Sequence, residues 1–194
     1  MTSEAGTSPK PTPPAAPPRT ATGVLVSLVI GAAVAVTLGV YGRVHSPTGI
    51  AVNVAGFSSP LTVKVWLATG AALFGVVQLV SASVMYGRVP GVRAPGWIGA
   101  AHRWSGRIAF LLSVPVAAHC LYALGLQTYD TRVVVHSVLG CLFYGLFTAK
   151  MLLLTRSGLA GWILPVVGGL VFTVLMGLWL TSSLWFFATT GVRF

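Results

Sequence analysis

Five long apolar stretches run along the chain, separated by short polar or turn-rich connections. They cover residues 23–41, 61–86, 97–126, 132–155 and 161–188. Each reaches or exceeds the roughly 18 residues that a helix needs to cross a hydrocarbon core. In lipid every backbone N–H and C=O must be bonded within the chain, which long apolar runs achieve as helices. The pattern predicts an all-α integral membrane bundle of five transmembrane helices.

The connections carry Pro and Gly, as in Ser46-Pro47-Thr48-Gly49 and Val89-Pro90-Gly91, which is typical of turns. The link from Gln127 to Thr131 is short, so the third and fourth helices are predicted to be antiparallel neighbours. Glycines inside the runs are expected to let helices approach closely: Gly70, Gly75, Gly140, Gly145, Gly168 and Gly169.

Composition agrees with a membrane protein, since 55% of the residues are hydrophobic and only 7% are charged. The net charge of +10 does not indicate nucleic acid, because the basic residues lie mostly between the apolar runs and have no interleaved aromatic tract. Their placement fits membrane topology and anionic lipid instead, with the lipid bilayer as the partner.

The first 20 residues are rich in Pro, Thr and Ala and are predicted to be a disordered cytoplasmic tail. This tail is too long and too weakly basic for the start of a secretory leader, so the first apolar run is interpreted as an anchor.

Basic residues set the expected orientation in the cell membrane, with the N-terminus cytoplasmic and the C-terminus outside. On that topology the inner side holds eight of them: Lys10, Arg19, Arg88, Arg93, Arg103, Arg107, Lys150 and Arg156. The outer side holds four: Arg43, Lys64, Arg132 and Arg193.

Two histidines in the membrane are the main candidates for chemistry, because ionisable groups inside a bilayer are costly and usually functional. His119 lies about seven residues before the outer end of the third helix, and His136 lies about four residues after the outer start of the fourth. Both therefore sit roughly 6–10 Å below the same surface. A depth-matched pair of this kind predicts two axial ligands of one haem b iron.

The residues around His136 support the prediction. Arg132, His136 and Gly140 share one helix face at i, i+4, i+8, so Gly140 leaves room for a macrocycle and Arg132 lies where propionates point. Pro115 is expected to kink the third helix and widen the gap. The alternative is that His119 and His136 are interhelical hydrogen-bond partners.

Other candidates have ordinary alternatives. His102 and Lys150 form a second candidate site, for a quinone head group, or else His102 caps and anchors its helix. His45 is an alternative haem ligand or an exposed loop residue, and Cys120 and Cys141 are interpreted as small packing residues.

No catalytic constellation is present. The only acidic residues are Glu4 and Asp130, and neither lies in an apolar run. This disfavours a proton-coupled carrier, and no phosphate loop, nucleophile-elbow or zinc-protease motif occurs.

The stretch from His102 to Lys150 resembles a family of uncharacterised actinobacterial multi-helix membrane proteins. The segments that carry the likeness are His102-Arg103-Trp104-Ser105-Gly106-Arg107, Ala118-His119-Cys120-Leu121-Tyr122-Ala123 and Val135-His136-Ser137-Val138-Leu139-Gly140-Cys141. The third and fourth helices are also distantly similar to transmembrane b-type cytochromes of the ferric-reductase-like and ascorbate-linked kinds. That resemblance implies His119 and His136 as the outer haem ligands and a Rieske or c-type redox partner outside. The inner histidine pair of such cytochromes has no counterpart here.

The sequence thus predicts a cytochrome b-like electron-transfer subunit with one haem b, rather than an enzyme on its own. The alternative is a non-catalytic structural or accessory subunit of a membrane complex, such as a respiratory one. A quinone-binding protein or a small transporter is a third interpretation.

Overall fold

The computed structural model describes residues 19–194 and forms five helices without a β-strand in that part of the chain. Helix α1 is Arg19–Val44, α2 is Pro60–Met85, α3 is Ile98–Leu124, α4 is Thr131–Leu154 and α5 is Ile163–Thr190. All five are long and apolar enough to cross a membrane, which confirms the predicted bundle. Of the predicted tail, residues 1–18 lie outside the described residues, and α1 begins at Arg19.

Local signals explain where several helices start. Ser59 accepts a hydrogen bond from the Thr62 backbone N–H, while the Thr62 hydroxyl accepts one from the Ser59 N–H, so a capping box precedes α2. Pro60 then occupies the first turn, where a missing N–H costs nothing. Asp130 caps α4 by accepting from the Arg132 N–H.

Helix α3 changes pitch near its end. Pro115 lies inside it and donates no backbone hydrogen bond, and residues His119–Leu124 follow as a π-helical turn. The segment stops at Gly125, whose φ of 67° is a conformation that favours glycine. A second π-helical turn, Leu180–Leu184, lies within α5.

The helices pack in the order α1, α4, α5, α2, α3. Consecutive helices run in opposite directions, so the α1–α2 and α3–α4 connections and Phe194 share one end of the bundle, called here the C-terminal end. The opposite, N-terminal end holds the α2–α3 and α4–α5 connections. At the C-terminal end the Thr48 N–H donates to the Tyr122 carbonyl at 3.2 Å, which ties the α1–α2 connection to the end of α3.

Helices α3 and α4 are neighbours across a gap rather than in close backbone contact. Aromatic side chains bridge them: the rings of Phe110 and Phe147 stack with centroids 4.3 Å apart. The Tyr144 hydroxyl also donates to Ser113 Oγ at 3.0 Å, because the Ser113 hydrogen is given to the Phe110 carbonyl. The short link therefore makes the two helices adjacent, but it does not pack them directly.

The glycines behave in two ways. A Cβ on Gly145 would lie 2.6 Å from the Gly31 carbonyl oxygen, and one on Gly75 would lie 2.8 Å from Leu175, so both mark close helix contacts. The prediction that glycines allow close helix contacts was wrong for Gly168 and Gly169, where a Cβ would meet nothing within 4 Å.

The outer faces carry large apolar side chains, as expected of helices that contact lipid. Leu73 is 64% exposed and Leu111 is 66% exposed, whereas small residues such as Ser27 and Ala71 are buried between helices.

Candidate functional site

A cavity lies in the half of the bundle nearer the C-terminal end, in the gap between α3 and α4. All five helices contribute to its walls, which are almost entirely apolar. Its volume is about 100 Å³, several times the roughly 10–15 Å³ that one water needs. The walls on the two sides of the gap are Ser113, Val116, Ala117 and Cys120 from α3, and His136, Ser137, Gly140, Cys141 and Tyr144 from α4.

The hydrogen bonds around His136 indicate which of its ring nitrogens carries the proton. Its Nδ1 lies 3.0 Å from the Thr181 Oγ1 on α5. Thr181 gives its single hydroxyl hydrogen to the Gly177 carbonyl at 2.7 Å, so toward His136 it can only accept. The neutral ring therefore donates from Nδ1 and keeps a lone pair on Nε2. Because His136 also lines the cavity, it has the features of a metal-ligating imidazole oriented by a neighbour.

The structure does not bring His119 to the wall of this cavity. The neighbouring Cys120 lines it, whereas His119 does not. His119 and His136 nevertheless share a neighbour, because the Lys64 ammonium on α2 lies within electrostatic range of both imidazoles. The two histidines thus lie in the same region of the bundle, but of the two only His136 lines the cavity.

Arg132 and Gly140 share a face with His136, as their spacing predicts, but they differ in what they contact. Gly140 lines the cavity, and a Cβ there would meet only Leu178, at 4.0 Å. Arg132 is held outside the cavity wall: its Nη1 donates to the Thr181 carbonyl at 2.7 Å, and its guanidinium lies 3.7 Å from the Trp185 ring centroid. Its Nε also lies 3.5 Å from Asp130.

A second, smaller cavity lies nearer the N-terminal end, between α2, α3, α4 and α5. Phe143 and Leu175 line both cavities and separate them along the bundle. Lys150 lines the second cavity. Gln78, which was not among the predicted site residues, lines it too.

His102 lies beside this second cavity but does not line it. Its Nδ1 is 2.9 Å from Ser81 Oγ, and Ser81 donates its own hydrogen to the Val77 carbonyl at 2.6 Å, so His102 is the donor. The His102 carbonyl in turn accepts from Gln78 Nε2. His102 therefore ties α3 to α2, while Lys150 alone of the predicted second pair reaches a cavity.

The remaining candidates are placed as follows. His45 is stacked between the rings of Tyr41 and Tyr122, at centroid distances of 4.9 and 5.1 Å, and its Nε2 bonds the Tyr122 carbonyl. Cys120 and Cys141 are free thiols that line the first cavity. Within residues 19–194, no three His, Cys, Asp or Glu side chains are grouped to hold a metal ion on their own.

Comparison with known protein families identifies the family of this chain. The model of a family of unknown function, DUF6529, matches residues 24–194, which is nearly the whole helical part. The chain belongs to the DUF6529 family. No curated protein and no solved structure gives a significant match to it. Membership confirms the likeness to an uncharacterised membrane family, but it brings no link to b-type cytochromes, which remains a proposal.

Several residues at the two cavities of this DUF6529 protein were missed by sequence reasoning. Thr181 and Ser81 are ordinary hydroxyls in apolar helices, and their role depends on which histidine the folded chain places beside them. Gln78 carried a usable signal, because an uncharged but strongly polar amide in the middle of a membrane helix needs partners.

Proposed function

We propose that this protein is a membrane electron-transfer subunit that holds one haem b in the cavity between α3 and α4, with His136 as an axial ligand. The observation that carries the proposal is the orientation of His136. Thr181 holds the Nδ1–H, and Nε2 is left as the basic nitrogen of a side chain that lines a cavity.

The donor set and the walls support the proposal. A neutral imidazole with its second nitrogen hydrogen-bonded is the usual form of a histidine that binds a metal. Gly140 leaves free space beside His136, and α3 and α4 stand apart at this level. The apolar walls would exclude water, and Phe143 with Leu175 would close the side facing the second cavity. When bound, haem supplies one-electron transfer, and the protein supplies ligation and a dry environment.

We propose His119 as the second axial ligand. In support, it lies at a similar depth on the facing helix and shares Lys64 as a neighbour with His136. Against it, Cys120 rather than His119 lines the wall opposite. The experiment below therefore includes both residues.

The orientation of the protein in the membrane is also a proposal. Arg88 and Arg93 lie exposed in the α2–α3 connection and Arg156 lies exposed after α4, so basic residues gather at the N-terminal end. By the positive-inside rule this end would be cytoplasmic, and the C-terminus would lie outside in the cell membrane. The His136 cavity would then be nearer the outer face, where a Rieske or c-type partner would exchange electrons.

The proposal is tested by the visible spectrum of the protein purified in mild detergent from haem-replete cells. We expect about one haem per chain, with a low-spin reduced-minus-oxidised spectrum. His136→Ala should lose the haem, and His119→Ala should lose it or become high-spin. Thr181→Val should weaken haem binding by about 10- to 100-fold because Nδ1 loses its acceptor, and Thr181→Ser should restore it.

Control variants and contrary outcomes are well defined. His45→Ala should keep the wild-type spectrum, since His45 is engaged by Tyr41 and Tyr122 outside the cavity. If Cys120→Ala changes the spectrum and His119→Ala does not, the second ligand is the thiol and the His119 assignment is wrong. A stably folded, colourless wild-type protein would reject the haem proposal.

A second candidate function is that of an accessory subunit without a cofactor. The contacts of His136 and Arg132 with Thr181 favour it, because together they tie α4 to α5 as structural hydrogen bonds do. In that case the protein would be colourless, and Thr181→Val would lower its thermal stability instead of altering a spectrum.

A further inference from the structure

The cavity nearer the N-terminal end holds a membrane-embedded ammonium group without a matching acid. Lys150 is partly buried and lines this cavity. Asp130 is the one acidic residue in the described part of the chain, and its salt bridge is with Arg132 at the opposite end of the bundle. An ammonium in an apolar span is costly unless an acceptor meets it. The Lys150 ammonium is therefore open to an acceptor that enters the cavity.

The opposite polar group of the cavity is an acceptor. Gln78 spends its amide hydrogens on the His102 carbonyl and, at 2.8 Å, on Ser105 Oγ. The amide lies against Gly106, where a Cβ would be 3.1 Å from Oε1 and 3.2 Å from Nε2, and Oε1 is left as its acceptor. Lys150 and Gln78 thus offer a donor on α4 and an acceptor on α2 along one cavity.

The walls between these two groups are aromatic. The rings of Phe110 and Phe147 stack with centroids 4.3 Å apart, and Phe143 and Phe172 also line the cavity. The cavity volume is about 50 Å³. Phenylalanine faces and edges favour a flat ring over a flexible or highly charged group. Gly168 forms part of the wall on α5, and a Cβ there would meet nothing within 4 Å, so the cavity is thinly closed on that side.

From these features we infer that the Lys150 cavity binds the ring of a lipid-soluble quinone or quinol. A quinone oxygen accepts from the Lys150 ammonium, and a quinol hydroxyl donates to Gln78 Oε1. The ring lies among the phenylalanines, and its tail extends into lipid. This site is separate from the His136 cavity and does not depend on haem being bound there.

The test measures binding of a decyl-tailed benzoquinone and a short-tailed naphthoquinone to the purified full-length protein in a neutral detergent. Dissociation constants come from the quinone that remains free after equilibrium dialysis against protein-free micelles. We expect saturable binding of one quinone per chain. Lys150→Gln should weaken it by about tenfold or more, as expected for the loss of a hydrogen bond to a charged donor.

A matched pair of glycine variants separates a blocked cavity from a damaged fold. Gly168→Leu should abolish saturable binding by filling the cavity from α5. Gly169→Leu makes the same change at the next residue, which does not line the cavity and also has open space around a Cβ, and should leave binding within about twofold. Arg88→Gln removes an exposed charge and should likewise leave binding unchanged.

The inference is overturned if the wild-type protein binds neither quinone saturably. It is also overturned if Gly168→Leu and Gly169→Leu bind equally well, or if Lys150→Gln binds as the wild type does. Micelles containing phosphatidylglycerol provide a further arm. If Lys150 governs retention of that anionic lipid but not of quinone, the cavity serves a lipid head group and the quinone assignment is wrong.

Discussion

Helix α4 meets two of its neighbours, α1 and α3, in opposite ways. Against α1 the backbones nearly touch, because a Cβ on Gly145 would lie 2.6 Å from the Gly31 carbonyl and 2.9 Å from the Ala35 Cβ. Five residues earlier, a Cβ on Gly140 would meet only Leu178 of α5, at 4.0 Å, and Gly140 lines the His136 cavity in the gap between α3 and α4. One helix therefore uses glycine both to close a contact and to leave one open.

The difference shows that a glycine in a membrane helix does not by itself predict close packing. What decides is whether small residues on the neighbouring helix oppose it. Gly31 and Ala35 oppose Gly145, whereas no α3 atom would lie within 4 Å of a Cβ on Gly140, whose nearest neighbour would be Leu178 of α5. Without a hydrophobic driving force between helices in lipid, a contact forms where shapes match closely. Long aromatic side chains instead hold α3 and α4 apart.

The strongest way to break this contrast is Gly145→Leu. The new side chain would have to displace the backbone of α1, so we expect a loss of at least about 3 kcal/mol of stability or failure to fold. Thermal unfolding in detergent, followed by circular dichroism together with size-exclusion chromatography, measures this. Gly169→Leu is the matched control and should unfold near the wild-type temperature. Equal stability of the two variants would mean that the α1–α4 contact is not tight.

Gly140→Leu sharpens the comparison from the other side. Its side chain would grow into the gap, so the folded protein should survive with a melting temperature within a few degrees of wild type. Haem content should fall to less than about a tenth, because the cavity is filled. Folded protein with unchanged haem would show that the group binds elsewhere, and a Gly140→Leu protein that fails to fold would show that this gap is as tightly packed as the α1 side.

The sequence predicted the bundle because lipid leaves few alternatives: five apolar runs of sufficient length have to become helices. It also placed Arg132, His136 and Gly140 on one face, since helical spacing alone determines that relation. The helix toward which that face is turned was not predictable. Arg132 and His136 both form hydrogen bonds with Thr181, which lies 45 residues beyond His136, on α5.

The position of His119 shows a second limit of sequence reasoning. Depth along a helix follows from residue number, but rotation about the helix axis depends on packing and on local pitch. Here Pro115 and the π-helical turn that begins at His119 alter the pitch within a few residues. The residue that lines the cavity is consequently Cys120, one position away.

The smallest expected effect comes from the side-chain hydrogen bond that joins α3 and α4 in the described part of the chain, between Tyr144 and Ser113. Tyr144→Phe keeps the ring, which packs edge-on against Phe110 at 5.9 Å, and removes only the hydroxyl. Ser113 still donates to the Phe110 carbonyl, so no buried donor is left unpaired. We expect a loss of about 0.6 kcal/mol, the average for interhelical hydrogen bonds in membranes.

A double-mutant cycle with Ser113→Ala, measured by unfolding in detergent, isolates this interaction. If the aromatic side chains set the width of the gap, the coupling energy should stay below about 1 kcal/mol and haem content should not change. A coupling of 3 kcal/mol or so, accompanied by loss of haem, would mean that the hydroxyl pair holds α3 and α4 at their separation. The contrast between the two faces of α4 would then rest on a polar contact rather than on side-chain size.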